Sequence, residues 1–148
     1  MPIAWEDHLT WFEGLSGDQS RIMFAVMEGV TIAGVCGLTG IDYINRRAEF
    51  SLYIDPSRHR TGLGSAALKS LVSFGFNTLG LNLIWGESFD GNPAIKMFER
   101  VGFEREGTRR EFYFRDGKFI DAHLFSITWD QAHWCNRLYG DGREAQGE

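Results

Sequence analysis

The chain has little cysteine, no long apolar run and no excess of positive charge, and each shortage closes off a class of function. Only Cys36 and Cys135 occur among 148 residues. They form no metal-ligand pair and no short-range framework, so buried or idle thiols are expected and redox chemistry is not. No stretch reaches the roughly 18 apolar residues that span a bilayer. Met1-Pro2-Ile3-Ala4-Trp5-Glu6-Asp7 lacks the basic segment and apolar run of a secretory leader, so the expectation is a cytoplasmic chain with no membrane partner. The formal charge of -5 argues against nucleic acid, which needs lysine and arginine spread over one face, and mildly favours a cationic substrate. His8, His59, His123 and His133 are scattered without ligand spacing, so no metal is expected.

What is present suits one domain over residues 1–148: 43% of residues are apolar and 24% charged, enough for a single core, with a disordered tail from about 140 to 148. Residues 5–14 carry Leu9, Trp11 and Phe12 near helical spacing, which predicts a short helix. Ile22, Phe24 and Val26 then alternate, Glu28-Gly29 offers a turn, and 31–38 is again strand-like. Residues 48–54 form a strand with Phe50, Leu52 and Ile54 on one face, ended by Asp55-Pro56. Leu68, Leu71, Val72, Gly75 and Phe76 mark an amphipathic helix stopped by Gly80, and 81–87 follows as a strand. Strand, helix and strand in this order predict a parallel pair. Asn92 and Pro93 open a second helix that buries Ile95, Phe98 and Val101 and closes at Gly102. Residues 109–115 and 118–126 flank Asp116-Gly117, a strong hairpin signal. The fold class is therefore α/β, of the α+β type: a mixed sheet with hairpins at both ends and one parallel pair in its centre.

Between the central strand and the first long helix stands Arg58-His59-Arg60-Thr61-Gly62-Leu63-Gly64-Ser65. Two glycines at a helix N-terminus let backbone amides approach a phosphate, and Arg58 and Arg60 add charge. Glycines at such a place also serve simply to turn the chain. A Walker loop would need Gly-Lys-Ser/Thr, which is missing. A dinucleotide fingerprint is nearly met by Gly62, Gly64 and Ala67, with Glu87 as the later acid, but the loop starts too far beyond Ile54.

The third reading is a resemblance. His59-Arg60-Thr61-Gly62-Leu63-Gly64 is similar to the pyrophosphate loop of the GNAT superfamily of N-acetyltransferases, with histidine in the usual Gln/Arg position. Asn92-Pro93-Ala94-Ile95-Lys96-Met97-Phe98-Glu99-Arg100-Val101-Gly102-Phe103 resembles that family's second motif, one residue short between Asn92 and Gly102. Residues 41–50, 102–107 and 116–121 resemble the branch that holds ribosomal-protein alanine and spermidine acetyltransferases. The likeness runs from about Trp5 to Ile127. It departs in two further places: relatives usually begin with an additional strand and helix, so the sheet is expected to lack them or to have its edge covered otherwise, and Phe98 stands where many relatives carry a tyrosine acid.

The resemblance implies a single GNAT fold, acetyl-CoA as acetyl donor and direct attack by a primary amine. It implies a cofactor site of Leu52, Tyr53, Ile54, His59, Arg60, Thr61, Gly62, Leu63, Gly64, Ser65, Asn92 and Phe98, with main-chain groups of residues 52–54 meeting the pantetheine arm. A lysine-like amine has a pKa near 10.4, so transfer at pH 7 needs a base. Glu49 ranks first for that role and Glu87 second. Tyr53, Tyr113 or water would protonate the leaving thiolate. Polyamine, amino sugar and protein N-terminus are all compatible acceptors, with a tilt toward a small amine. A non-catalytic acetyl-CoA sensor is the competing class, and an open sheet edge leads to the expectation of a homodimer.

Overall fold

Buried and more exposed residues alternate most cleanly along the two central strands, residues 47–54 and 83–89. The computed structural model describes residues 9–12, 19–59, 61–132 and 134. Strands β1 (Leu9–Phe12), β2 (Ile22–Glu28), β3 (Thr31–Asp42), β4 (Arg47–Ile54), β5 (Leu83–Phe89), β6 (Glu104–Arg115) and β7 (Lys118–Thr128) form one seven-stranded sheet in the order β1-β2-β3-β4-β5-β7-β6. Every neighbouring pair is antiparallel except β4 and β5, which are parallel as the sequence predicts.

The predicted helix over residues 5–14 is corrected: Leu9–Phe12 is the edge strand, in register with Val26 to Met23 of β2. Three apolar residues within four positions satisfy helical and extended spacing alike, and pairing with an adjacent strand decides between them. Residues 1–8 and the expected tail at 140–148 lie outside the described residues, as do Arg60, His133 and Cys135.

Helix α1 (Leu63–Ser73) continues into a π-helical turn at Phe74–Thr78, and α2 spans Ala94–Val101. Leu68, Leu71 and Val72 of α1 and Ile95, Phe98 and Val101 of α2 share one core with Ala48, Phe50 and Ile54 of β4, Ile84 of β5, and Phe125 and Ile127 of β7. Phe98 stacks edge-on against Phe50 at 5.2 Å and Phe125 at 5.8 Å. Since side chains alternate along a strand, Glu49, Ser51 and Tyr53 fall on the opposite face of β4. Cys36 is buried in the core, where burial pushes its thiol up to about 12, so it is inert as expected. Among the described residues no helix is long and apolar enough to cross a membrane, and no group of three or more potential metal ligands occurs.

Candidate active site

The parallel pair is short, and the site follows from that. β4 and β5 pair only through Arg47–Leu83, Ala48–Ile84 and Glu49–Trp85. Beyond this point β4 stays with β3 as far as Ile54, while β5 stays with β7 as far as Phe89. The two strands therefore diverge, and a cleft of about 810 Å³ opens between them. Its walls include residues 49–54 of β4, Glu87 and Ser88 of β5, Gly62, Gly64 and Ser65 at the start of α1, Asn92 and Phe98 around α2, and Tyr113 of β6.

One end of the cleft is made of main chain. The Asp55 N–H donates to Ala33 O at 2.8 Å, so alternation turns the backbone of Tyr53 toward β3 and that of Leu52 and Ile54 toward the cleft. The exposed Tyr53 side chain also lines the cleft. His59 Nε2 lies 3.0 Å from Ile54 O and donates to it, tying the glycine loop to the strand end. Thr61 Oγ1 donates to Arg58 O at 2.8 Å and accepts weakly from Leu63 N–H at 3.4 Å. Gly62 caps α1 at φ 82°, a left-handed conformation, and brings no side chain to the helix end. The first N–H groups of a helix have no intrahelical partner and its N-terminus is positive, so this end suits an anion. Of the loop residues, Leu63 turns its side chain into the core, and the Arg58 guanidinium is paired with Glu28 at the end of β2. The residues present fit a pyrophosphate: an uncapped helix start with no side chain on Gly62 or Gly64 to hold it off.

Asn92 is fastened on both sides. Its Oδ1 accepts from Ala94 N–H at 3.0 Å, capping α2, and its Nδ2 donates to the buried Ser88 Oγ at 2.7 Å. Phe98 borders the same cavity while remaining buried, so its ring forms floor rather than a polar wall.

The other end is charged. Glu49 and Glu87 project from the same face of the sheet, because Glu49 pairs with Trp85 and Glu87 is two residues further on. Burial, then the Glu87 charge, pushes the Glu49 carboxyl above the usual carboxylate range, while Arg109 opposes this. Tyr113 Oη donates to Glu87 Oε1 at 3.0 Å. Burial, followed by that hydrogen bond and the charges of Glu87 and Glu49, raises the phenol above its ordinary range, so it stays a neutral donor. Glu87 Oε2 is buried without a hydrogen-bond partner, and Arg109 Nη1 comes only within 3.8 Å of it. A buried carboxylate oxygen left without a donor is costly, and an ammonium group entering the cleft would supply one.

Sequence reasoning thus named Glu49, Glu87, Tyr53 and Tyr113, which the cleft brings together. It missed Ser88, Met97, Arg100 and Thr39, which also line it, and Arg109 beside Glu87. Strand parity could have found Ser88 as a core-side neighbour of Glu87. Arg109 depends on a sheet order that sets β6 one strand beyond β5, with β7 between them, which no local pattern carries.

Comparison with known proteins gives a consistent result. Residues 1–104 match the acetyltransferase (GNAT) domain. An uncharacterized N-acetyltransferase, p20 of Bacillus licheniformis, is 32% identical over 114 residues, covering 76% of this chain and 64% of that protein. Spermidine N(1)-acetyltransferase of Escherichia coli K12 is 32% identical over 106 residues, covering 71% of this chain and 57% of the relative. The chain therefore spans less than two thirds of the length of either. The crystal structure of a Vibrio cholerae spermidine N-acetyltransferase in complex with CoA and spermine superimposes with a TM-score of 0.75 at 27% identity, over 79% of this chain and 70% of that one.

Proposed function

The chain belongs to the GNAT acetyltransferase family, and from that premise we propose that it transfers the acetyl group of acetyl-CoA to a small primary amine such as a polyamine or an amino sugar. The observation that carries this reading is the divergence of β4 from β5, which joins an anion-suited helix start to a carboxylate pair in one cleft. Similarity to spermidine acetyltransferases supports a polyamine more than the other acceptors.

Acetyl-CoA would supply the activated thioester, its pyrophosphate held at Gly62, Gly64 and Ser65 and its arm along the cleft-facing backbone of Leu52 and Ile54. The acceptor arrives as an ammonium ion. Freeing its lone pair at pH 7 costs about 4–5 kcal/mol for a pKa near 10.4. Glu87 Oε2 holds the cation, and Glu49, with its raised pKa, takes the proton. The amine nitrogen then attacks the thioester carbonyl; as the C–S bond breaks, the nitrogen sheds its second proton to water, which restores the group that protonates the thiolate, and the acetamide is formed. The thiolate is protonated by Tyr53, whose phenol lines the cleft, or by water, because the Tyr113 proton is committed to Glu87. A backbone N–H aimed at the developing oxyanion contributes about 3 kcal/mol in comparable sites.

Acceptor class is tested by thiol release from acetyl-CoA with spermidine, glucosamine and an alanine-initiated peptide. The reading expects turnover with spermidine or glucosamine, and loss of it in Glu49→Gln. Turnover with the peptide alone would move the acceptor to a protein N-terminus. A second reading, an acetyl-CoA-binding module without turnover, is favoured by one observation: Phe98 places no hydroxyl where relatives carry a phenol. Binding with no acetylation of any amine would establish it. We also propose a homodimer, supported by the exposed rings of Phe112, Phe114 and Phe119 on the edge hairpin β6–β7.

A further inference from the structure

We propose that Asp121 is a positioning residue for Tyr113, and through it for Glu87, by clamping an irregular stretch of β6 over the acceptor end of the cleft. This rests on the acetyltransferase reading for its kinetic consequence, though not for its geometry. After a one-residue shift at Glu106, the ladder between β6 and β7 runs unbroken from Gly107–Leu124 to the pair Arg109–Ala122 and resumes at Tyr113–Ile120. Between these pairs β6 places Arg110, Glu111 and Phe112 opposite a single residue of β7, Asp121. An uninterrupted ladder would set residue 111 against Ile120 and residue 113 two positions nearer the hairpin tip. The two extra residues therefore draw Tyr113 back by about 6–7 Å, two strand steps, to where its hydroxyl reaches Glu87 Oε1.

Such an excursion needs a partner for the backbone it removes from the ladder. Asp121 Oδ1 provides one, accepting from Glu111 N–H at 2.9 Å, and Glu111 itself sits at φ 52°, where residues other than glycine are uncommon. Asp121 is in turn anchored to β5, since its carbonyl accepts from Asp90 N–H at 2.8 Å. Farther along, the Arg115 guanidinium lies 3.7 Å over the Phe89 ring and holds the tip on the same side. The charged groups around Asp121 are Arg110 and Glu111, which share a surface hollow with it. Those around Tyr113 are Glu87 of β5, Glu49 of β4 and Arg109 of β6. Asp121 does not line the cleft, so its effect is exerted through Tyr113.

The test uses the chain labelled with ring-¹³C tyrosine, the Tyr113 signal being assigned by loss in Tyr113→Phe. In the wild type Tyr113 should titrate above the ordinary phenol range. Asp121→Ala should bring it down toward that range and lower kcat by roughly ten- to hundredfold with the KM for acetyl-CoA unchanged. Asp121→Asn, which keeps an oxygen for the Glu111 N–H, should restore both. Glu111→Val, which resists the left-handed conformation without touching Asp121, should reproduce the alanine result and replaces it if that variant does not fold. Unchanged Tyr113 titration in folded Asp121→Ala, or an asparagine variant as impaired as alanine, would overturn the proposal. A wild type inert toward every amine would sink the acetyltransferase reading alone, because the titration still decides this one.

Discussion

Glu49 was legible as a single letter because it opens the apolar alternation of β4, and Glu87 because it follows the apolar run of β5, but their pairing was not. It depends on the parallel register Glu49–Trp85, a contact between residues far apart in sequence. That register makes a prediction about pH. Glu49 holds its proton above the usual carboxylate range in the folded chain, so turnover should rise with pH through that raised value, and Glu49→Gln should abolish the rise. Its stability effect runs the other way. The folded state binds the proton more tightly than the unfolded one, so Glu49 makes the fold less stable as pH climbs from the ordinary carboxylate pKa to the raised one. Glu49→Gln should therefore flatten the melting temperature across that window, as read by calorimetric scans. At the loop, the two glycines are unequal. Gly62→Ala forces a Cβ into the left-handed region at a cost of about 1–2 kcal/mol, lowering both the melting temperature and acetyl-CoA affinity. At Gly64 a Cβ would meet Ile54 and Met97 at an ordinary 3.6 Å, so Gly64→Ala should leave the melting temperature unchanged.

At the scale of elements, the hairpin at Asp116-Gly117, both helices and the central parallel pair follow directly from turn residues and period, whereas the segment at Leu9–Phe12 does not. A run of four residues is too short for its spacing to separate a helix from a strand, and the neighbour β2 settles it. Divergence of β4 and β5 was equally invisible locally. Beside it lies a feature that only the packed sheet discloses: a Cβ on Gly86 would fall 2.4 Å from the Phe50 ring. That ring is buried in a cluster with Phe98 and Phe103, at 5.2 and 5.0 Å, and cannot swing away freely. Glycine in mid-strand thus lets Phe50 lie across β5 beneath the cleft. Gly86→Ala should cost about 1–3 kcal/mol through overpacking, visible in urea denaturation as a lower midpoint with an unchanged slope.

For the whole molecule, the described residues form one core cluster and one sheet. Charge balance and apolar content are silent on surfaces. Phe114 and Phe119 face each other across β6 and β7 at 5.0 Å and remain 66% and 64% exposed, which is unusual for paired aromatic rings. If this hairpin joins two copies, light scattering should give twice the chain mass at micromolar concentration, and Phe114→Asp with Phe119→Asp should halve it. A wild type that scatters as a single chain would remove the homodimer.

The central claim is that the cleft between the diverging strands binds acetyl-CoA, and calorimetric titration of the purified chain with acetyl-CoA tests it most directly. Saturable binding at one site per chain, weakened in Gly62→Ala, is the predicted result. Absence of saturable binding up to about 1 mM, the upper end of ordinary KM values, would contradict it.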